Sequence, residues 1–588
     1  MSLSSLDWII IFSFFALFLI IGLRVSKKAG SSAKEFFLSG RNMPWWLIGI
    51  SMVATTFSAD TPNLVADIVR KNGVAGNWTW WAFLITGMVT VFIYAKLWRK
   101  SGVLTDLEFY EIRYGGKAAR FLRAFRALYL GVFFNVMIMA TVTLAGIKIG
   151  SVLFDLEPIT SVLIASIVTV AYSSLGGLRG VILTDFIQFI IAMVGSIAAA
   201  IYVVNMPEVG GLSGLLEHSN VVDKLNILPD FSNPSVYVPL LIVPLAVQWW
   251  SVWYPGSEPG GGGYIAQRML SAKNEKHAVL ATLLYNVMHY ALRPWPWIMI
   301  ALASLVIYPN LASIQTAFPN IDPSIVNDDL GYSAMLLSLP SGLLGLVVAS
   351  LIAAFMSTIS THLNWGSSYI VHDFYERFVK PEASEKEKVM IGRLSTVVLM
   401  LFAGLVALVL ENALDAFNIL LQIGAGTGSI FILRWFWWRV NAWSEISGMI
   451  ISFVVALTFK LFPSGLESHW ELVIGVGITT ITWLIVTLAT KPEDDKTLTR
   501  FYNLVAPYGM GWNKFRARMK ANGTELATGT GKFSADFMAV VLGIFIIYSA
   551  LFATGMIIYG NMTNGLILAV ITLLSTAGLV RIWKKLTF

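Results

Sequence analysis

Four small hydroxyl side chains fall within five positions of residues 353–368, in an apolar run that begins near Gly342. They are Ser357, Thr358, Ser360 and Thr361. On a helix, Ala354, Ser357, Thr358 and Thr361 share one face because they follow the i, i+3, i+4, i+7 spacing. Such a face either lets two membrane helices pack closely or offers oxygens to a small hard cation, which needs several oxygen ligands. The stretch alone leaves both interpretations open.

A second apolar stretch, residues 44–63, also becomes polar midway along its length. Thr55, Thr56, Ser58 and Asp60 follow one another closely, and Pro62 comes next. Because proline removes a backbone donor and its ring disturbs the preceding turn, we expect the helix to break or kink here. A broken helix inside a membrane exposes carbonyl oxygens that are suited to a cation. A proline kink without any ligand is the alternative.

Residues 249–268 contain a second interruption. Pro255, Pro259 and the four glycines 260–263 cannot form a regular helix. Two interrupted membrane helices, one in each half of a chain, are typical of transporters built from inverted repeats, with the substrate bound between the two breaks.

An acidic and a basic side chain within apolar stretches are further candidates for a functional site. Asp185 lies one turn inside a predicted span, where a carboxylate is costly unless it is paired or lines a water path. An ion pair with Arg179 is the alternative. Arg293 also needs a partner, and the sequence suggests Glu258. A purely structural ion pair remains possible for Arg293.

Two amide side chains, Asn418 and Gln422, lie one turn apart in a later predicted span. They either contact a solute or hold neighbouring helices together by hydrogen bonds.

The composition is that of a polytopic membrane protein. The chain has 588 residues, of which 56% are hydrophobic and 13% charged, and its mean hydropathy is +0.71. Runs of about 20 apolar residues recur along its length, each long enough to cross a bilayer, and we count about fifteen. The first predicted span, residues 6–23, lacks the features of a cleaved signal and is expected to be retained.

The positions of the basic residues predict the orientation in a plasma membrane, which we expect to be a bacterial inner membrane. The sequence has 41 Lys and Arg residues, and most fall in loops on one side if the N-terminus is outside and the C-terminus inside. The net charge of +7 therefore reflects membrane topology, and we expect no nucleic-acid partner. Residues 491–535 are polar and are predicted to form an inner loop.

Several of these stretches together resemble the sodium:solute symporters, a family that includes sodium–glucose, sodium–proline and sialic-acid transporters. The likeness spans about residues 34–440. It is carried by Phe36 to Arg41 before Pro44-Trp45-Trp46, by the Gly-Gly-Leu-Arg segment with Thr184-Asp185 and Gln188, by Gln267-Arg268 with Ala272-Lys273, and by Ser357-Thr358 through Asn364 to Tyr375.

The resemblance implies an all-α fold with a leucine-transporter-type core of five plus five helices in inverted repeats, surrounded by extra helices. On this basis the chain divides into five parts. These are residues 1–43 with the first span, 44–204 as the first repeat, 205–235 as an outer loop, 236–440 as the second repeat, and 441–588 as accessory helices.

The resemblance also implies sodium ligands. The main site would use the backbone carbonyls of Ala54, Phe57 and Ala354 and the hydroxyls of Ser357 and Thr358. A second site, present in some members of the family, would use Asp185, Ser360 and Thr361 together with Ser357. One or two sodium ions in each transport cycle are therefore expected.

The substrate residues are less well defined. Candidates from the motif positions and from the polar residues described above are Thr56, Thr61, Trp80, Trp253, Tyr254, Glu258, His289, Arg293, Asn418 and Gln422. Trp80 replaces an acidic residue that sugar-transporting members carry, His289 replaces a lysine, and Glu258 falls where the family has an aromatic lid. Trp253 or Tyr254 is expected to fill that role instead.

These observations predict a sodium-coupled symporter that imports a small polar solute, with a sugar or a sugar-like molecule favoured. A sodium symporter of amino acids or organic acids is one alternative, and a sensor that binds a solute on the same fold without transporting it is another. An enzyme is not expected, because the sequence has six histidines, no cysteine and no paired carboxylates within its spans.

Overall fold

The computed structural model describes residues 3–29, 32–252, 258–410, 420–424, 426–528 and 533–586. Among these residues, ten helices are long and apolar enough to cross a membrane, and five shorter apolar helices accompany them. They correspond to the fifteen or so spans that the hydropathy of the sequence predicts.

The first half of the chain contains an interrupted helix and four further helices. In chain order they are α1 (Ser5–Ala29), α2 (Trp45–Thr56), α3 (Asp60–Asn72), α4 (Val74–Ser101), α5 (Gly116–Phe154) and α6 (Pro158–Val204). The interrupted helix is formed by α2 and α3. α6 is continuous in hydrogen bonding but kinks at Gly177, whose φ of 53° is left-handed. This kink separates two predicted spans.

The second half repeats the pattern of an interrupted helix followed by long spans. It contains α7 (Pro234–Ala246), α8 (Gly263–Ser271), α9 (Glu275–Ile307), α10 (Leu330–Leu336), α11 (Leu343–Val379), α12 (Glu385–Ala407) and α13 (Gly428–Phe436). The division of the chain into inverted repeats at residues 44–204 and 236–440 stays a prediction.

Accessory helices complete the fold. They are α14 (Ala442–Leu461), α15 (Ser468–Ala489), α16 (Asp495–Val505), α17 (Asn513–Ala521), α18 (Phe533–Ile558) and α19 (Met562–Trp583). α16 and α17 lie in the segment for which the sequence analysis expects only a loop.

The first break falls one turn before Pro62. α2 closes at Phe57, whose N–H donates to the carbonyls of Val53 at 2.9 Å and Ala54 at 3.0 Å. Pro62 lies in the first turn of α3, where a missing N–H costs little, but its ring excludes the helical carbonyl of Ser58 four residues earlier. The predicted interruption is therefore present and has the predicted cause.

The second break depends on its glycines. Gly260 and Gly261 have φ of 93° and 73°, which is a left-handed backbone that other residues rarely adopt. A Cβ atom on Gly260 would lie 3.0 Å from the ring of Tyr94. The following helix, α8, begins at Gly263, whose N–H donates to the carboxylate of Asp106 at 2.9 Å. Burial raises the pKa of Asp106, although its hydrogen bonds from Tyr369 and Gly263 act in the opposite direction.

Candidate functional site

The hydroxyl face of α11 lies against the end of α2, at the first break. The Thr358 hydroxyl donates to the backbone carbonyl of Thr55 at 2.8 Å. Ala354, Ser357 and Thr358 are all at most 3% exposed. Because Ala54 and Phe57 flank this last turn of α2, the structure brings the two halves of the predicted main sodium site to one place. The carbonyl of Ala54 accepts only the end-of-helix N–H of Phe57, at 3.0 Å, and a carbonyl oxygen has a second lone pair that an ion can use.

Asp185 on α6 lies next to the same turn. Its carboxylate accepts hydrogen bonds from the hydroxyls of Ser51, at 2.5 Å, and Ser357. All three side chains are buried. The sequence analysis therefore placed Asp185 correctly beside Ser357, but Ser51 was not identified.

A buried arginine on α8 completes this cluster. The Arg268 guanidinium donates to the hydroxyls of Ser51 at 2.9 Å, Thr55 at 3.0 Å and Thr361 at 2.8 Å. One of its nitrogens lies 3.5 Å from a carboxylate oxygen of Asp185. Arg268 is thus the charged partner of Asp185, in place of the alternative, Arg179. A positive charge occupies the cluster where the resemblance suggests a second sodium ion.

Ser360 and Thr361 differ in their surroundings. The Thr361 hydroxyl accepts from Arg268 and lies 3.2 Å from the hydroxyl of Thr55. The Ser360 hydroxyl donates to the backbone carbonyl of Ser357 at 3.1 Å. Of these two residues, Thr361 is therefore the one that the structure brings into the Arg268 cluster.

Three of the predicted substrate residues form a hydrogen-bonded group. Thr56, the residue after Thr55 on α2, meets two residues of α9. The Thr56 hydroxyl lies 3.1 Å from His289 Nδ1 and accepts from Arg293 at 3.2 Å. Arg293 also lies 3.2 Å from His289 Nε2 and donates to the carbonyl of Val53 at 3.4 Å. Thr56, His289 and Arg293 are buried. This group can offer donors to a polar solute.

Aromatic rings border this polar group. Trp80 stacks on Tyr290 with ring centroids 5.9 Å apart, and it meets His289 edge-on at 5.7 Å. Tyr285 lies 5.3 Å from the His289 ring. Polar groups beside aromatic faces are typical of binding sites for small organic molecules.

The expected pair of Arg293 and Glu258 is wrong. Arg293 is held instead by Thr56, His289 and Val53. Glu258 is buried beside the second break, where its nearest charges include Asp106, Arg126 and Arg434. The two residues therefore belong to different clusters, and the sequence could not reveal this because it does not show how α8 and α9 pack.

The remaining substrate candidates are less central or cannot be placed. The Thr61 hydroxyl donates to the carbonyl of Thr56 at 3.4 Å, so this residue lies at the first break. Gln422 donates to Glu471 on the accessory helix α15 at 3.3 Å, which supports its role in holding helices together. Trp253, Tyr254 and Asn418 lie outside the described residues.

Ser51, Thr55 and Arg268 are the functional candidates that sequence reasoning missed. Ser51 and Thr55 are one helical turn apart on α2, so their shared face was available as a signal. Arg268 was noted only as part of a family motif. Its charge in a strongly apolar region was the stronger signal, since buried cations require partners.

The chain matches known proteins over most of its length. The family model described as the sodium:solute symporter family matches residues 36–452. A sodium/glucose cotransporter of Vibrio parahaemolyticus is 26% identical over 513 residues, which cover 84% of this chain and 92% of that protein. The sodium/sialic acid symporter SiaT of Proteus mirabilis is 26% identical over 488 residues, with 80% and 92% covered.

Among solved structures, a Na+-coupled sialic acid symporter in a substrate-bound outward-open state has a TM-score of 0.65 at 22% identity. The match covers 84% of this chain and 99% of that one. This likeness confirms the predicted all-α, leucine-transporter-type fold.

Proposed function

We propose that this chain, which belongs to the sodium:solute symporter family, imports a sugar or a sugar-like polar solute. It is a multi-pass membrane protein that couples sodium to the movement of a small solute. The relatives named above transport glucose or sialic acid, and the polar group of Thr56, His289 and Arg293 beside the Trp80 ring supports a cargo of this kind. We propose transport, and not catalysis, as its activity.

One observation carries the proposal. Thr55 and Thr56 are consecutive residues at the end of α2, and each belongs to a different group. Thr55 bonds to Thr358 of the proposed ion site, whereas Thr56 bonds to His289 and Arg293 of the proposed solute site. A shift of this single turn therefore changes both sites at once.

Coupling follows from this shared turn. A sodium ion held by Ala54, Phe57, Ala354, Ser357 and Thr358 joins α2 to α11. A ligand shifts a conformational equilibrium only by its difference in affinity for the two states, and an ion that needs oxygens from both helices supplies such a difference. The membrane potential adds about 2.3 kcal/mol per charge per 100 mV to the driving force.

The second ion position is also a proposal. It would consist of Asp185, Ser357, Ser360 and Thr361, and a sodium ion there would share Asp185 with Arg268. We further propose that the N-terminus lies outside and the C-terminus inside a plasma membrane, such as a bacterial inner membrane, because most Lys and Arg residues then face the inside.

A sodium-coupled carrier of organic acids is a second candidate, favoured by one observation. Among the described residues, the Nε of the buried Arg293 has no hydrogen-bond partner. A carboxylate on the cargo would satisfy this donor and the charge of the guanidinium. Uptake measured with a panel of sugars, sugar acids and amino acids distinguishes the two candidates.

The test of the proposed function is the variant Thr358→Ala in proteoliposomes. Losing one oxygen ligand, worth about 1.4 kcal/mol, should raise the sodium concentration for half-maximal uptake about tenfold. Ser367→Ala is the matched control, because Ser367 is also a buried hydroxyl on α11 but faces Thr396 at 3.1 Å. Equal sodium activation in both variants contradicts the proposed site. Solute binding without sodium-driven accumulation identifies a sensor.

A further inference from the structure

An apolar cavity of about 490 Å³ lies between α1 and the core helices α5, α6 and α11. Trp8 and Phe12 of α1 and Phe355 of α11 are among the aromatic residues that line it. Gly146 on α5 leaves room, because a Cβ atom there would already contact the Phe355 ring at 3.4 Å. The volume falls within the range of about 300–1,000 Å³ that is common for small-molecule sites. The cavity is separate from the solute group at Thr56.

The cavity opens toward the lipid. Phe12 and Ile164 both line it, and they are 63% and 52% exposed on neighbouring faces of α1 and α6. In a membrane protein, exposed apolar side chains on spanning helices are covered by hydrocarbon chains. The cavity is therefore continuous with the surface that the protein presents to the bilayer. Water is a poor occupant, because apolar cavities of this kind stay dry.

Two hydroxyl side chains, Ser161 and Thr169, line the cavity, and Ser161 is the one closer to the start of α6. Ser161 lies in the first turn of α6 and is 8% exposed, and among the described residues its hydroxyl has no hydrogen-bond partner. A buried hydroxyl without a partner is unfavourable. The first turn of a spanning helix lies near the membrane surface, at the level of the ester groups of lipids. An ester carbonyl beside Ser161 would accept this hydrogen bond.

We propose that this cavity binds one acyl chain of a membrane lipid, with its ester carbonyl accepting a hydrogen bond from Ser161. Three features favour this occupant over a free apolar molecule. They are the opening to the bilayer, the apolar walls, and the position of Ser161 at the depth of the lipid ester.

The position of the cavity gives the lipid a structural effect. Phe355 and Met356 line it and directly precede Ser357 and Thr358. Ala59, in the first break, lines it as well. An empty cavity would deprive these side chains of contacts on one side, so a bound chain supports α11 directly behind the proposed ion site. The binding itself does not depend on that proposed site.

The first experiment counts bound lipids by native mass spectrometry after mild delipidation in detergent. Ala165→Trp fills the cavity, because Ala165 lines it. Ile167→Trp is the matched control, since Ile167 lies on the same helix and is 67% exposed to lipid. We expect wild type and Ile167→Trp to retain one phospholipid that Ala165→Trp loses. Equal retention by both tryptophan variants, or no retained lipid in wild type, overturns the proposal.

A second experiment uses only the wild-type protein and therefore does not depend on a variant that folds poorly. A phospholipid with a photoreactive group near the middle of one acyl chain is incorporated into proteoliposomes and activated. Peptide mapping should find the label enriched at least several-fold on the segments around Phe12 and Phe355 relative to the lipid-exposed helix α19. Labelling of these segments at or below the level of α19 overturns the proposal.

Discussion

Arg268 connects more of the polar cluster than any other single side chain described here. Its guanidinium bonds to Ser51 and Thr55 on α2 and to Thr361 on α11, and it lies beside Asp185 on α6. Both charges are fully buried. In a low-dielectric interior each charge depends on the other, because either one alone would be strongly desolvated.

We therefore expect Arg268→Gln to destabilise the protein by about 3–5 kcal/mol, the usual effect of removing one partner from a buried ion pair. The double variant Asp185→Asn/Arg268→Gln leaves two neutral polar groups and should recover much of this loss. Thermal unfolding of the purified proteins in detergent provides the measurement. If the double variant loses as much as the two single variants together, the pair is not coupled.

The sequence could predict only part of this cluster. The spacing of Ser357, Thr358 and Thr361 placed these hydroxyls on one helical face, and the cost of a carboxylate in an apolar span drew attention to Asp185. The pairing of Asp185 with Arg268 could not be predicted, because it depends on how α8 approaches α2 after an irregular segment. Periodicity describes single helices and gives no information on which of them come into contact.

At the scale of elements, the segment after α15 differs most from expectation. Its polar composition suggested a loop, yet α16 buries Leu498, Phe501, Tyr502 and Val505. These residues follow the i, i+3, i+4, i+7 spacing of an amphipathic helix, so the signal was present in the sequence. Composition averaged over a long segment concealed it.

Trp512 holds this segment against the core. It is fully buried, its ring stacks on Phe501 with centroids 6.0 Å apart, and its Nε1 donates to the carbonyl of Trp435 at 2.9 Å. Trp512→Ala should weaken the docking of α16 and α17 by about 3–5 kcal/mol, as for other buried tryptophans. We expect trypsin to cleave within α17 at least about tenfold faster.

Met510→Ala provides the control for this variant, because Met510 lies two residues away and is 87% exposed. Its cleavage rate should match that of wild type. Slow cleavage in Trp512→Ala would mean that other contacts hold the segment, such as the Arg113 guanidinium, which lies 5.3 Å from the ring of Phe501.

At the scale of the whole molecule, local signals in the sequence predict the architecture, whereas the choice of solute stays a proposal. Hydropathy indicates about fifteen spans, and Pro62 and the glycines at 260–263 mark both interruptions, because these signals are local. In the proposed solute site, the side chains that would select the solute come from α2, α4 and α9 and meet only after folding. Trp80 and His289 illustrate this, since the sequence gives no sign that their two rings come into contact.

Two ion pairs hold the end of the protein that we propose to face outside. Arg70 of α3 lies 2.9 Å from Asp328, and Lys148 of α5 lies 2.6 Å from Asp329. The two aspartates are neighbours just before α10. They therefore join α3 and α5 to one segment. An opening of the outer side that separates α3 from α5 would break at least one of the two ion pairs.

The absence of cysteine from the sequence makes this opening measurable. A single Thr61→Cys substitution places a thiol at the first break, and a membrane-impermeant maleimide reaches it only when the outer side is open. We propose that the ion binds more tightly to the outward-facing state, so labelling should be faster in sodium than in choline. Adding Asp328→Asn removes one ion pair while Arg70 keeps its bonds to Ser304 and Tyr308. We expect labelling in choline to rise about fivefold, which corresponds to about 1 kcal/mol.

Ser232→Cys is the control. It shows whether the reagent reaches the outer side equally in each medium and how many protein molecules are oriented with that side accessible. Ser232 is exposed in the predicted outer loop, so Ser232→Cys should react at the same rate in sodium and in choline, with or without Asp328→Asn. If sodium leaves the Thr61→Cys rate unchanged while Asp328→Asn raises it, the outer ion pair controls opening but the ion does not. That result would separate the conformational change from sodium binding and would require a coupling route other than the shared turn at Thr55 and Thr56.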